Sequence, residues 1–133
     1  MRPLHLYPVG HVHNGRIKPA PPESFKETES MILLEGMAPE TLDGLEPGMD
    51  LVVLFWFDRR QGFYPKVHPK GDPHRPLKGV FATCAPQRPN PIGVTRCVLL
   101  ERGETWLRVR GLDALDGTPV LDIKPFAMGG EQL

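Results

Sequence analysis

The sequence predicts an all-β fold, a small antiparallel β-barrel forming a single domain over residues 1–133. Three observations carry that expectation. Glycine and proline together are abundant, at 14 and 16 residues, and both disfavour helix interiors. The apolar runs are short, with no heptad, no long amphipathic stretch and no internal repeat. Turn pairs such as Asn14-Gly15, Asp43-Gly44, Pro47-Gly48 and Asp116-Gly117 punctuate those runs at the spacing of short strands. A chain of 133 residues is large enough for one core, and closing the sheet removes its edges.

Taken in order, His5 to Val12 reads as a first strand ending at the Asn14-Gly15 turn, and Lys18 to Glu23 as a proline-rich loop. Met31 to Leu34 is a short apolar run, and Ala38 to Leu45 suits a helical turn or two. Leu51-Val52-Val53-Leu54-Phe55-Trp56-Phe57 is the strongest element, a continuous β-branched and aromatic run that predicts a central strand buried on both faces. Gly79 to Thr83 reads as a strand leading into Cys84-Ala85-Pro86. Gly93 to Leu100 and Thr105 to Arg110 both alternate and are joined by a turn containing Gly103, which predicts a hairpin. Val120 to Ile123 is the last short strand.

The formal charge is zero, which argues against a protein that coats polyanions over its whole surface. The balance is locally uneven. Between Gly62 and Gly93, Lys66, Lys70, Arg75, Lys78, Arg88, His68 and His74 face a single acid, Asp72. Seven prolines stiffen the same stretch, so a rigid basic loop that meets a phosphate backbone is open, as is a solvated loop with no partner. No apolar run is long enough to span a membrane, and the first residues lack the apolar core of a secretory signal, so a cytoplasmic protein is expected. Cys84 and Cys97 lack CxxC spacing and are expected as free thiols. His5, His11 and His13 come without an HExxH or a paired Cys/His set, so no metal site is expected. A nucleophilic Cys84 has no histidine at a spacing that implies a partner, and no phosphate-binding glycine loop is present.

Chemistry concentrates in two proline-punctuated blocks. In Arg88-Pro89-Asn90-Pro91-Ile92-Gly93 each proline fixes its own φ and drives the preceding residue into extended geometry, so Arg88 and Asn90 leave a stiff backbone at set angles. In Gly111 to Pro125 the acids Asp113, Asp116 and Asp122 and the cation Lys124 stand among turn residues. Asp116 in Asp116-Gly117-Thr118-Pro119 suits a tight turn. Asp122 and Lys124 alternate with Leu121 and Ile123 and share a polar face.

These blocks, with Gly79-Val80-Phe81-Ala82-Thr83, resemble the signature of the TrmO family, also called TsaA-like or YaeB-like. Leu51 to Phe57 is similar to that family's central strand and Tyr7 to Val12 to its opening strand. The resemblance implies a small β-barrel that binds S-adenosyl-L-methionine outside any Rossmann fold, usually as a homodimer, and methylates N6 of threonylcarbamoyl-adenosine beside the tRNA anticodon. Carried over residue by residue, cofactor contacts would fall on Asp58, Arg59, Cys84, Arg88, Asn90, Val94, Leu112, Asp113, Ala114 and Leu115, with no catalytic base identified. Family members commonly carry arginine where this chain has Cys84, and histidine where it has Asp50 and Asp58. A cysteine cannot clamp a carboxylate bidentately as arginine does. The C-terminal extension of bacterial tRNA-modifying members is also expected to be missing.

Methyl transfer from a sulfonium asks the site mainly to align nucleophile, methyl carbon and sulfur, and orientation alone supplies roughly 7–11 kcal/mol. The resemblance thus implies an S-adenosylmethionine-dependent methyltransferase acting on tRNA. The alternatives are a non-catalytic ligand-binding barrel, or a methyltransferase for a small molecule. Arg88 is expected to face a ligand, so that its removal abolishes activity and spares the fold; the contrary expectation is a strut bonded to Asp113, Asp116 or Asp122.

Overall fold

A computed structural model describes residues 2–59 and 62–126 of the chain. Its strands are β1 (Gly10–His13), β2 (Glu29–Leu34), β3 (Asp50–Trp56), β4 (Lys66–Val67), β5 (Lys78–Gly79), β6 (Ile92–Arg102), β7 (Trp106–Arg110) and β8 (Pro119–Pro125). Six of them close into a barrel in the order β1-β2-β7-β6-β3-β8, and every pairing is antiparallel. β4 and β5 form a separate two-stranded ribbon within the long excursion between β3 and β6.

Alternation along the strands builds the core. In β3, Leu51, Val53 and Phe55 point inward and are buried, while Val52, Leu54 and Trp56 are half-covered on the outer face. The central strand is therefore buried on one face, not on both. A single sheet closed on itself has one interior, and its outer face is covered only by what packs outside it. Val12, Ile32, Cys97, Leu99, Leu107, Val109 and Val120 complete the lining, and each large aliphatic side chain buried there contributes about 1.5–3 kcal/mol. β6 serves two neighbours. Ile92 to Val98 pairs with β3, and Val98 to Arg102 with β7, with a register shift between Leu99 and Glu101 where the strand turns the corner.

Two other expectations change. The first strand begins at Gly10, and residues 2–8 are exposed. Gly79 to Thr83 is not a strand: β5 ends at Gly79 and Val80–Ala82 is a 3-10 turn. That turn forms because Val80 O accepts from both the amide and the hydroxyl of Thr83. The helical turn expected after Ala38 is a 3-10 turn at Pro39–Leu42, and a second one at Pro22–Phe25 shortens the expected loop. The predicted β6–β7 hairpin forms with Gly103 in its connection.

Candidate functional site

Segment 111–118 joins β7 to β8 across the end of the barrel, and tertiary hydrogen bonds hold it. Leu112 is 0% and Ala114 is 5% exposed, so both side chains belong to the core. Only their main chain, with the side chains of Asp113 and Leu115, could face a ligand. Asn14 Nδ2 donates to Ala114 O at 2.9 Å and to Ser30 Oγ at 3.0 Å. Asp116 Oδ1 accepts from the amides of Asn14 and Gly15 at 2.8 and 3.1 Å. Asp116 thus ties two loops together instead of capping its own turn. The amides of Gly15 and Asn14 are also what hold its carboxyl below the usual carboxylate range. Asp113 is the reverse case. Desolvation, then the nearby Glu23 carboxylate, pushes it upward against the pull of Arg16.

The end of β3 meets this segment through Arg59. Its Nη2 donates to Asp116 O at 2.9 Å and its Nη1 to Ile17 O at 3.1 Å. Asp58 is exposed beside it, its amide bonded to Trp56 O at 2.9 Å. Phe57 N donates to Pro91 O at 2.7 Å, which brings the start of the excursion next to the Asn90-Pro91 end of the proline block.

Arg88 is bonded to none of Asp113, Asp116 and Asp122. Its Nη1 lies within hydrogen-bond distance of three main-chain oxygens, Val80 O at 3.1 Å, Thr83 O at 2.7 Å and Ala85 O at 3.2 Å. The contrary expectation, a carboxylate strut, does not hold, and the arginine expected to face a ligand instead clamps three carbonyls around which residues 80–85 fold. Its guanidinium also stands 6.0 Å from the Phe81 ring, which is 80% exposed. Cys84 sits exposed between two of the clamped carbonyls, whereas Cys97 lies inside the barrel, where burial, with Asp50 nearby, pushes its thiol up to about 12. Both thiols are free, as expected.

The end of β3 is thus tied to segment 113–116 through Arg59 and to the proline block through Phe57 N and Pro91 O, while Arg88 grips the main chain on either side of Cys84. Val94 stands apart on the outer face of β6, opposite Leu54, and is 58% exposed. Clefts of about 370 and 500 Å³ occur elsewhere, the first lined by Lys26, Asp50, Arg96 and Arg110 among others, and none of the ten candidate residues lines either. The candidate site is an open surface of loops. Asn14, Ser30 and Arg16 support it but carried no functional signal in the sequence beyond the Asn14-Gly15 turn pair.

Comparison with known proteins follows the same outline. Residues 12–130 match the family model described as the tRNA-methyltransferase O N-terminal domain. The chain is 48% identical over 103 residues to a protein of Methanothermobacter thermautotrophicus named "Probable S-adenosyl-L-methionine-binding protein", covering 77% of this chain and 72% of that one. A protein of Archaeoglobus fulgidus named S-adenosyl-L-methionine-binding protein is 38% identical over 103 residues, 77% of this chain and 73% of its own. The crystal structure of TrmO from Pseudomonas aeruginosa superposes with a TM-score of 0.74 at 30% identity over 95% of this chain, which spans 57% of that chain.

Proposed function

Because the chain belongs to the tRNA-methyltransferase O N-terminal domain family, we propose that it is an S-adenosyl-L-methionine-dependent methyltransferase acting on N6 of threonylcarbamoyl-adenosine in tRNA. The observations that support this reading are two hydrogen bonds from the end of β3, Phe57 N to Pro91 O of the proline block and Arg59 Nη2 to Asp116 O, in a barrel that superposes on TrmO.

The donor set fits the cofactor. Asp58 and Asp113 offer acceptors for an ammonium or ribose hydroxyls, Asn90 offers an amide, and Leu115 and Phe81 offer apolar surface to an adenine or a methylene chain. Bound there, the cofactor supplies a methyl group on a positively charged sulfur. The protein supplies orientation: a backbone stiffened by Pro89 and Pro91, a loop clamped by Arg88 and a segment pinned by Asn14. Methylation releases a proton from the acceptor nitrogen, which passes to solvent at this open surface.

The excursion suits an anticodon loop. Lys66, Lys70, Arg75 and Lys78 are exposed on or beside the β4–β5 ribbon, and Phe63, Tyr64 and Phe81 expose rings on which splayed bases can stack. A second copy of the chain is proposed as the partner that covers the outer β3–β6 face, where Leu54 pairs with Val94 and Trp56 with Ile92. The test is direct. Calorimetry with S-adenosylmethionine should give saturable binding, and tritium from its methyl group should enter total tRNA; no heat at millimolar cofactor would overturn the reading. Binding without transfer to tRNA or to small acceptors would leave a ligand-binding barrel.

A further inference from the structure

We propose that Arg59 is a positioning residue, fixing where the 62–91 excursion stands relative to segment 112–117, and so where acceptor meets methyl donor. The inference rests on the functional reading above. Arg59 is the third residue past β3, at the root of the excursion. Its two Nη groups reach main-chain oxygens on two different loops, Ile17 O and Asp116 O. A planar guanidinium bonded to two fixed carbonyls sets the orientation as well as the position of the peptide that carries it.

Segment 112–117 does not depend on that strap. Asn14 Nδ2 holds Ala114 O, the Asn14 and Gly15 amides hold the Asp116 carboxylate, Asp116 N donates to Arg16 O and Gly117 N to Val12 O. The anchor side is therefore rigid, and the part that Arg59 places is the excursion. Among the described residues the excursion has one ion pair to a neighbouring loop, between Lys70 Nζ and Glu23 Oε1 at 3.2 Å, with both side chains more than half exposed. Such a pair is weak and screened by salt. With both Nη groups engaged on carbonyls, Arg59 is also poorly disposed to serve as the cofactor contact that the family resemblance implies.

The experiment compares the wild-type chain with Arg59→Ala and Arg59→Lys in three measurements: calorimetric affinity for S-adenosylmethionine, kcat and KM for methyl transfer to tRNA, and hydrogen exchange without ligand. The expected result for Arg59→Ala is a cofactor Kd within about threefold of wild type and kcat lower by about 10- to 100-fold, the scale of a misplacement of about 1 Å. Exchange should accelerate at Asp58 and Tyr64 while the β3 and β6 amides stay protected. Lysine, reaching one carbonyl at most, should restore only a minor part of kcat. A Kd weakened tenfold or more and rescued by lysine would make Arg59 a cofactor ligand and overturn the proposal, as would unchanged exchange in both variants. Wild-type protein that binds no cofactor would overturn the functional reading instead, and the exchange data would still decide whether Arg59 anchors the excursion.

Discussion

Arg88 and the two aspartates of segment 111–118 show how single side chains divide the work. Removing Arg88 leaves the oxygens of Val80, Thr83 and Ala85 without their shared donor, so Arg88→Ala should cost about 1–3 kcal/mol and lose activity along with stability. Arg88→Lys, with a rotatable ammonium, should recover part of the stability; urea titration alongside methyl transfer reads both. The two carboxyls impose opposite pH dependences. Asp113 is raised in the fold, so the native state binds its proton more tightly than the unfolded chain does. Its ionisation then lowers stability as pH rises from the ordinary carboxylate range through the raised folded value. Asp116 is lowered, so its stabilisation is present above the ordinary range and is lost as pH falls through the folded value. Denaturation midpoints between pH 3 and 8 should therefore rise at neutral pH for Asp113→Asn, while Asp116→Asn flattens the acid limb.

Among the elements, the β3–β6 ribbon carries a constraint in the last residue of the proline block. Gly93 faces inward opposite Phe55, and a Cβ there would lie 2.5 Å from the Phe55 ring and 2.8 Å from Phe57. Those rings meet edge to face with centroids 5.2 Å apart, so neither can withdraw without disturbing the other. Gly93→Ala should destabilise by about 1–3 kcal/mol through overpacking, seen as a lower midpoint at unchanged denaturant slope. Phe57 also donates its amide to Pro91 O beside Asn90, so the substitution should also reduce cofactor affinity. The β4–β5 ribbon is held differently, by Val80 N to Pro65 O and Tyr64 N to Gln87 O and not by a core, which suits a segment that must meet a large, variable ligand.

At the scale of the whole molecule the outer barrel face and the basic excursion make separate predictions. Val94→Asp places a charge on the apolar β3–β6 surface and should shift sedimentation from dimer to monomer at micromolar concentration, with the fold retained. A wild-type chain that sediments as a monomer would remove the second copy from the proposal. Because the excursion presents Lys66, Lys70, Arg75 and Lys78 to solvent, tRNA affinity should fall steeply with salt, and replacing two of these lysines should reduce the slope of log K against log salt by about 1–2.

The all-β class, the hairpin from β6 to β7 and the central strand were legible in the chain because alternation and turn chemistry are local. The proline block was legible as a rigid display of Arg88 and Asn90 because proline acts on its own and the preceding residue. What Arg88 grips was not legible: its partners are main-chain oxygens up to eight residues away, and a carbonyl has no signature in the side-chain sequence. For the same reason the strand expected at Gly79 to Thr83 became a 3-10 turn, folded around oxygens whose donors come from Thr83 and Arg88. Leu112 and Ala114 had the types of core residues, but only closure of the barrel end decided that their side chains point inward and leave the main chain to the site. Arg59, Asp116 and Asn14 come from distant parts of the sequence, and barrel closure is what brings them together. The sequence by itself determined the fold class and the family; the tertiary structure decided which polar groups are supports, because hydrogen-bond partners are chosen by distance in space, not along the chain.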